Sequence, residues 1–284
     1  MTYSFQYRFL KNVNLEELLQ VFNKSFSDYV VPMKLSMEQL RDKIKAEGID
    51  LTISVGAFCN KELVGFILHA KNNDYLYNAG TGVLPSFRGN NLTTKMYDYA
   101  IPLFKSFSMR KINLEVVSSN ETACKSYRKI GFKKWRVLNS IKGIISIKTL
   151  KFEEVEGLQI SNLPYYEYLI SFAEKDIIPT WENNEFCIQN FETSLTIRKA
   201  TINGTTTVGY IIFDSKANKI LQIWVKEAYR RKGIGSYLIK ELIGNDRSFL
   251  VTNIDGQNFG IHSFFKSVGG EPYLEQVEME MHLD

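Results

Sequence analysis

Tyr127 and the short run Arg88-Gly89-Asn90-Asn91-Leu92-Thr93 are the residues whose types and spacing could do chemistry. A tyrosine hydroxyl titrates near pH 10, so at neutral pH it keeps its proton and can donate to a sulfur that becomes anionic. A lone tyrosine on an amphipathic helix is more simply a half-buried aromatic. Tyr127 has company, with Asn120 seven positions before it and Gly131-Phe132 just after. The glycine and asparagine run has a different use. It follows an apolar strand that stops at Pro85 and precedes Leu92, Met96 and Tyr99 at helical spacing. Such a loop turns main-chain N–H groups toward one point at the positive end of a helix, where a diphosphate is held without a metal. Small residues matter there because Cβ atoms would block the phosphate. The same run also fits a solvated turn that merely starts a helix.

The elements that must position these residues are legible from periodicity. Residues 3–9 read as an opening strand, and Asn14 with Glu17 as a cap for a helix whose face is Leu15, Leu18, Leu19, Phe22 and Phe26. Ser36 and Gln39 repeat that logic, with Gly48 as the stop. Residues 52–58 and 62–69 predict a hairpin, 75–84 the strand before the loop, and 92–107 the following helix, bent or broken at Pro102. A strand over 111–117, a helix over 120–130 and a final hairpin over 132–147, with Gly143 near its turn, complete a first domain.

Strand plus Asn120-x-x-Ala123-x-x-x-Tyr127-x-x-x-Gly131-Phe132 resembles the acetyl-CoA half of the GNAT (Gcn5-related N-acetyltransferase) superfamily. The resemblance implies an α/β (α+β) fold, a mixed and mostly antiparallel sheet flanked by helices. It implies acetyl-CoA as cofactor, with Val83 and Leu84 offering main-chain groups to the pantetheine, and Arg88, Gly89, Asn90, Asn91, Leu92, Thr93 and Thr94 wrapping the diphosphate. Asn120 would bond the pantetheine and Tyr127 would serve the leaving thiolate. In the ribosomal-protein alanine acetyltransferase branch, the Glu of a similar Leu-Glu-Val strand takes the amine proton. Leu114-Glu115-Val116 stands in the same register here, so Glu115 is the candidate base, or else a structural or substrate-orienting carboxylate. The family's usual Arg-x-x-Gly-x-Gly/Ala is altered, since Asn91 and Thr93 carry side chains where small residues are normal.

The second half carries a shadow of the first. Tyr229-Arg230-Arg231-Lys232-Gly233-Ile234-Gly235-Ser236 follows an apolar strand ending near Val225, and Asn258 to Gly269 repeats the later helix with Phe265 where the first copy has Tyr127. A tandem of two GNAT-like domains is expected, residues 1–150 and 151–284, with the crossing near 150–161. Here the loop fits the family pattern fully, but Phe265 cannot donate a proton. Either this half binds CoA without turnover, or it keeps the fold for packing alone, or the thiolate leaves unaided and the second half is the catalytic one.

Composition bounds the remaining choices. A chain of 284 residues accommodates two ordinary domains, and a net charge of +4 without a basic stripe suits a small anionic ligand better than nucleic acid. No apolar run could span a bilayer and no signal peptide opens the chain, so a cytoplasmic protein is expected. Three scattered cysteines and three isolated histidines suggest neither disulfides nor a metal site. The leading expectation is an acetyl-CoA-dependent N-acetyltransferase acting on a small-molecule or peptide amine by direct attack. A non-catalytic CoA-binding or regulatory protein is the rival. Acceptor and oligomeric state stay open.

Overall fold

The structure, a computed structural model, describes residues 3–31, 33–145, 150, 155–171, 175–190, 195–243 and 247–283. The chain divides into two units, residues 1–136 with 276–284 as unit 1 and 137–275 as unit 2. Unit 1 opens with β1 (Phe5–Phe9), α1 (Leu15–Ser25) and α2 (Met37–Ala46). The cap signals are used as expected: the Asn14 side chain accepts from the Glu16 amide, and Ser36 with Gln39 forms a reciprocal capping box. There follow β2 (Val55–Cys59), β3 (Glu62–Asn72), β4 (Tyr75–Val83), α3 (Leu92–Ser106), β5 (Lys111–Val117) and α4 (Glu121–Ile130). Helix α3 runs on through Pro102, whose missing N–H removes one bond without ending the helix.

Two long strands depart from the expected order. Residues 133–145 form no hairpin but one strand, β6 (Lys133–Ile145), and its part from Leu138 onward pairs with β11 (Arg247–Asp255) in unit 2. Strand β12 (Gly270–His282) was expected to complete the second copy. Instead its last seven residues pair antiparallel with β5 in unit 1, Gln276 opposite Val117 through His282 opposite Lys111. Each half therefore finishes the other's sheet, and the expected boundary at 150/151 falls inside unit 2. The physical reason is burial: Met279, Met281 and Leu283 enter the unit 1 core, while Ile141 and Ile145 enter that of unit 2. Gly143 lies within β6 because of close backbone approach. A Cβ there would stand 2.3 Å from the Gly269 carbonyl oxygen.

In unit 1 the strands run in the order β1-β2-β3-β4-β5-β12, antiparallel except for the β4–β5 pair. Buried Met96, Tyr97, Ala100 and Phe104 of α3 pack with Ile112, Leu114 and Val116 on one face, each fully buried Met, Phe, Ile, Leu or Val contributing about 1.5–3 kcal/mol. Unit 2 contains β7 (Leu158–Asn162), α5 (Tyr165–Ser171), α6 (Glu185–Ile188), β8 (Leu195–Ile202), β9 (Thr206–Asp214), β10 (Lys219–Val225), α7 (Ile234–Ile243), β11 and α8 (Phe259–Ser267). Its order is β6-β11-β10-β9-β8-β7, and β10–β11 is again the one parallel pair. The expected crossing near 150–161 ends in β7, and its residues 151–154 lie outside the described residues. Among the described residues no helix is long and apolar enough to cross a membrane.

Candidate functional site

The site of unit 1 is a gap between two strands. β4 and β5 pair only over Tyr75–Tyr77 and Lys111–Asn113. Beyond that point β4 stays with β3 as far as Val83, and β5 stays with β12 as far as Val117, so the two part company as a wedge. A bulge in the β3–β4 ladder, between Leu68/His69 and Gly80/Asn78, re-aims the strand at the splay point. There the Asn78 amide donates to the Thr81 and Tyr97 hydroxyls at 2.8 Å each, and its oxygen accepts from the Gly80 N–H at 3.0 Å. Unit 2 repeats the gap, with β10 and β11 paired only at Lys219–Ile220 and Leu250–Val251.

At the end of the wedge lies the loop. Gly89 (φ 82) and Asn91 (φ 55) are both left-handed, and so are the corresponding Arg231 (φ 64) and Gly233 (φ 79) of unit 2. Asparagine tolerates that region better than most residues, so the first altered position keeps the backbone shape of the second copy. The other altered position has a packing explanation. A Cβ on Gly235 would meet the Phe264 ring at 3.1 Å, and the residue corresponding to Phe264 in unit 1 is Ser126. With the ring gone, Thr93 is admissible. Asn91 gives α3 no side-chain cap, whereas Asn14, Ser36 and Asn120 cap α1, α2 and α4. The first amides of α3 are thus left to a ligand or to water.

Arg88 does not reach toward that ligand position. Its guanidinium forks onto Asp28 at 2.6 and 2.8 Å and also donates to the carbonyls of Ser25 (2.9 Å) and Val83 (3.3 Å). The hydrogen bonds from Arg88 hold the Asp28 carboxyl below its ordinary pKa. Arg230 does the same in unit 2, donating to Asp176 at 2.5 Å and to the Val225 carbonyl at 2.9 Å. Both arginines fasten the loop to the strand before it and to the segment after the first helix. Asp28 and Asp176 escaped the sequence reading, although Asp28-Tyr-Val-Val-Pro32 and Asp176-Ile-Ile-Pro179 are a repeat that would have found them.

Tyr127 lies beside the wedge on the α3 side, 8% exposed, among Leu114, Val116 and Phe132. Burial pushes its pKa up to about 12, although hydrogen bonds with Thr81 and Asn78 partly offset this. Asn120 caps α4 through its oxygen, which accepts from the Ala123 N–H at 3.1 Å. Tyr29, which the sequence did not single out, is hydrogen-bonded to the Asn120 side chain and to the main chain of Val117, and burial raises its pKa. Glu115 alternates to the opposite face, where it accepts from the Tyr77 hydroxyl. Directly across the ladder stands Glu278, paired with Arg136 at 2.6 Å in a buried salt bridge. Phenol and carboxylate therefore flank the gap from its two sides. Counting from Asn258 as from Asn120, unit 2 has Asn253 in the place of Glu115 and Phe265 in the place of Tyr127. The cysteines are free and buried, and among the described residues no cluster of metal-ligating side chains occurs.

Two α/β units, each with a splayed parallel strand pair facing a left-handed loop and a helix start, define the acyl-CoA N-acyltransferase class of fold. The chain belongs to the GNAT acetyltransferase family, whose model matches it twice, over residues 15–132 and 158–269. Similar solved structures include a GCN5-related N-acetyltransferase from Sphaerobacter thermophilus, at TM-score 0.75 and 14% identity, covering 99% of this chain and 97% of that one. A tandem GNAT protein from the clavulanic acid biosynthesis pathway follows at TM-score 0.70 and 13% identity, covering 99% of each chain. A putative acetyltransferase from Pyrococcus horikoshii gives TM-score 0.65 and 14% identity, with 99% and 90% covered. At these identities the likeness is one of fold. No curated protein matches the chain.

Proposed function

We propose that the protein is an acetyl-CoA-dependent N-acetyltransferase whose reaction belongs to unit 1. One observation carries this reading: the two copies share loop dihedrals, arginine staple and capping asparagine, yet only unit 1 has Tyr127 and Glu115, where unit 2 has Phe265 and Asn253. The residues fit the coenzyme. The uncapped amides at the start of α3 and the left-handed Gly89 and Asn91 suit a diphosphate, and Val83 and Leu84 line the strand end where a pantetheine would run. When bound, acetyl-CoA supplies an activated thioester carbonyl.

Glu115 accepts the proton of the attacking amine as the new N–C bond forms. Tyr127 donates a hydrogen bond to the sulfur as the C–S bond breaks. With its pKa about 12 against about 8.5 for an ordinary thiol, it stabilises the thiolate without giving up its proton. Solvent then protonates the departing coenzyme. Asn78 and Thr81 hold the phenol in place, and Tyr29 orders Asn120. The acceptor is a primary amine of a small molecule or peptide. The test is thiol release by the full-length protein from acetyl-CoA with a panel of amines, beside calorimetry of coenzyme A. Tyr127→Phe should lose a charge-assisted hydrogen bond of about 1.5–3 kcal/mol, a roughly 10- to 100-fold fall in turnover, with coenzyme affinity nearly unchanged. Coenzyme binding without thiol release for any amine would favour a non-catalytic role.

The matching loop of unit 2 favours a second reading for that half, coenzyme binding without turnover by Arg231, Lys232, Gly233, Ile234, Gly235 and Ser236. Comparing Gly233→Trp with Asn91→Trp in the calorimetric assay locates the occupied loop. Loss of affinity only in the Gly233 variant would move the coenzyme, and with it the reaction, to unit 2.

A further inference from the structure

The exchanged strand brings two carboxylates together in unit 1. Glu278 of β12 is the ladder partner of Glu115 on β5. Side chains paired in this way leave the same face of a sheet with Cβ atoms about 4.5–5.5 Å apart, and like charges so placed repel. Their surroundings differ, since Glu278 is 3% exposed and Glu115 only half-buried. What makes the buried charge tolerable is Arg136, whose Nε donates to Glu278 at 2.6 Å, while the Asn113 amide bonds the same carboxylate. Strand order sets the sense of this ion pair. β12 lies between β5 and β6, so the negative end adjoins Glu115 and the positive end is rooted one strand spacing, about 4.8 Å, further off.

A buried ion pair is a costly way to join two strands, because apolar side chains of similar volume often do as well or better. The other charges of this face do not call for it. Lys111 pairs with Glu280 at 3.0 Å, His282 lies 3.5 Å from the same carboxylate, and Tyr77 of β4 donates to Glu115. Unit 2 supplies the comparison. There Asn253 stands in the place of Glu115, and β6 sets Asn139 and Ser140, both uncharged, across the bulge in that part of the ladder. The carboxylate and the one facing it are missing together.

We propose that Glu278 is a positioning residue for the reaction of unit 1: its carboxylate, kept ionised by Arg136, makes protonation of Glu115 more favourable and so makes Glu115 a stronger base. This rests on the assignment of Glu115 as the proton acceptor. The proton passes from the amine nitrogen to a Glu115 oxygen as the N–C bond forms, and Glu278 stays ionised beside Arg136 throughout. Neutralising one of two adjoining negative charges relieves their repulsion at that moment.

The test reads Glu115 directly. Full-length protein carrying glutamate labelled with carbon-13 at the side-chain carboxyl is titrated by NMR from about pH 4 to 9, the Glu115 signal being assigned from Glu115→Gln. In Glu278→Gln the midpoint of Glu115 should fall by at least about one pH unit. That variant leaves Arg136 buried without its partner, a change that can unfold a protein. The double variant Arg136→Met, Glu278→Leu removes both charges in apolar form, and there the midpoint should fall by about half a unit, because the nearer charge was the negative one. A midpoint unchanged or raised in the variants that fold overturns the proposal. The acid limb of kcat/KM should move down with the midpoint. Glu115→Gln turning over like the parent would instead remove Glu115 from the chemistry, a failure of the base assignment that leaves the measured coupling of the two carboxylates in place.

Discussion

At the residue scale, burial sets what Tyr127 can do. With its pKa pushed up to about 12, the phenol stays protonated across the useful range, so turnover should show no falling limb between pH 8 and 10. A rate profile descending with an apparent pKa near 10 would assign the limb to a tyrosine in an ordinary environment. The raised value has a stability consequence of known sign: the folded state favours the neutral phenol, a contribution complete below pH 10 and lost as pH rises through about 12. His69 has the opposite sign. It is fully buried in the middle of β3, its ring edge-on to Tyr97 and Phe104, and burial pushes its pKa down to about 3. The stability it lends by staying neutral is complete above pH 6.5 and is lost as pH falls toward 3, at up to about 1.4 kcal/mol per pH unit. Urea midpoints of His69→Leu measured from pH 7 to pH 4 should therefore fall less steeply than those of the parent.

At the element scale, the altered loop keeps its shape because Asn91 adopts the conformation that Gly233 adopts in the second copy. Asn91→Gly should leave coenzyme affinity within about twofold, whereas Asn91→Val must enter a region costing a β-branched residue about 1–3 kcal/mol, with an affinity loss to match by calorimetry. Equal affinities for the two variants would mean that the loop does not hold the coenzyme. Helix starts and the loop were legible because their signals are local: Asn14, Ser36 and Asn120 act on amides two or three residues away. Tyr29 and Thr81 were not, and Asp28 showed only through its repeat at Asp176. Their partners Asn120, Tyr127 and Arg88 lie tens of residues off, and short polar or aromatic side chains carry no periodic signature. The pairing of β12 was illegible for a related reason. Val277, Met279 and Met281 alternate as in any half-buried strand, and alternation does not say which edge the strand will join.

At the scale of the whole molecule, the exchanged strands make unit 1 depend on residues remote in sequence. A protein ending at Glu275 lacks Met279, Met281 and Leu283 from the core of unit 1, and the Glu278 that stands across from Glu115. It should aggregate, through an exposed edge on β5, and release no thiol from acetyl-CoA. Hydrogen exchange over Lys111–Val117 checks this: protection equal to that of the full chain would mean that β5 does not need its partner.

The same exchange bears on synthesis. A ribosome delivers the chain in N- to C-terminal order, and domains ordinarily close in the order they emerge. Here the half translated first cannot seal its sheet until residues 276–282 have been made, so it waits, incomplete, while all of unit 2 is being produced. Any slowing of translation while unit 2 is being made lengthens that wait. The demand on chaperones then falls on the half made first rather than on the half made last.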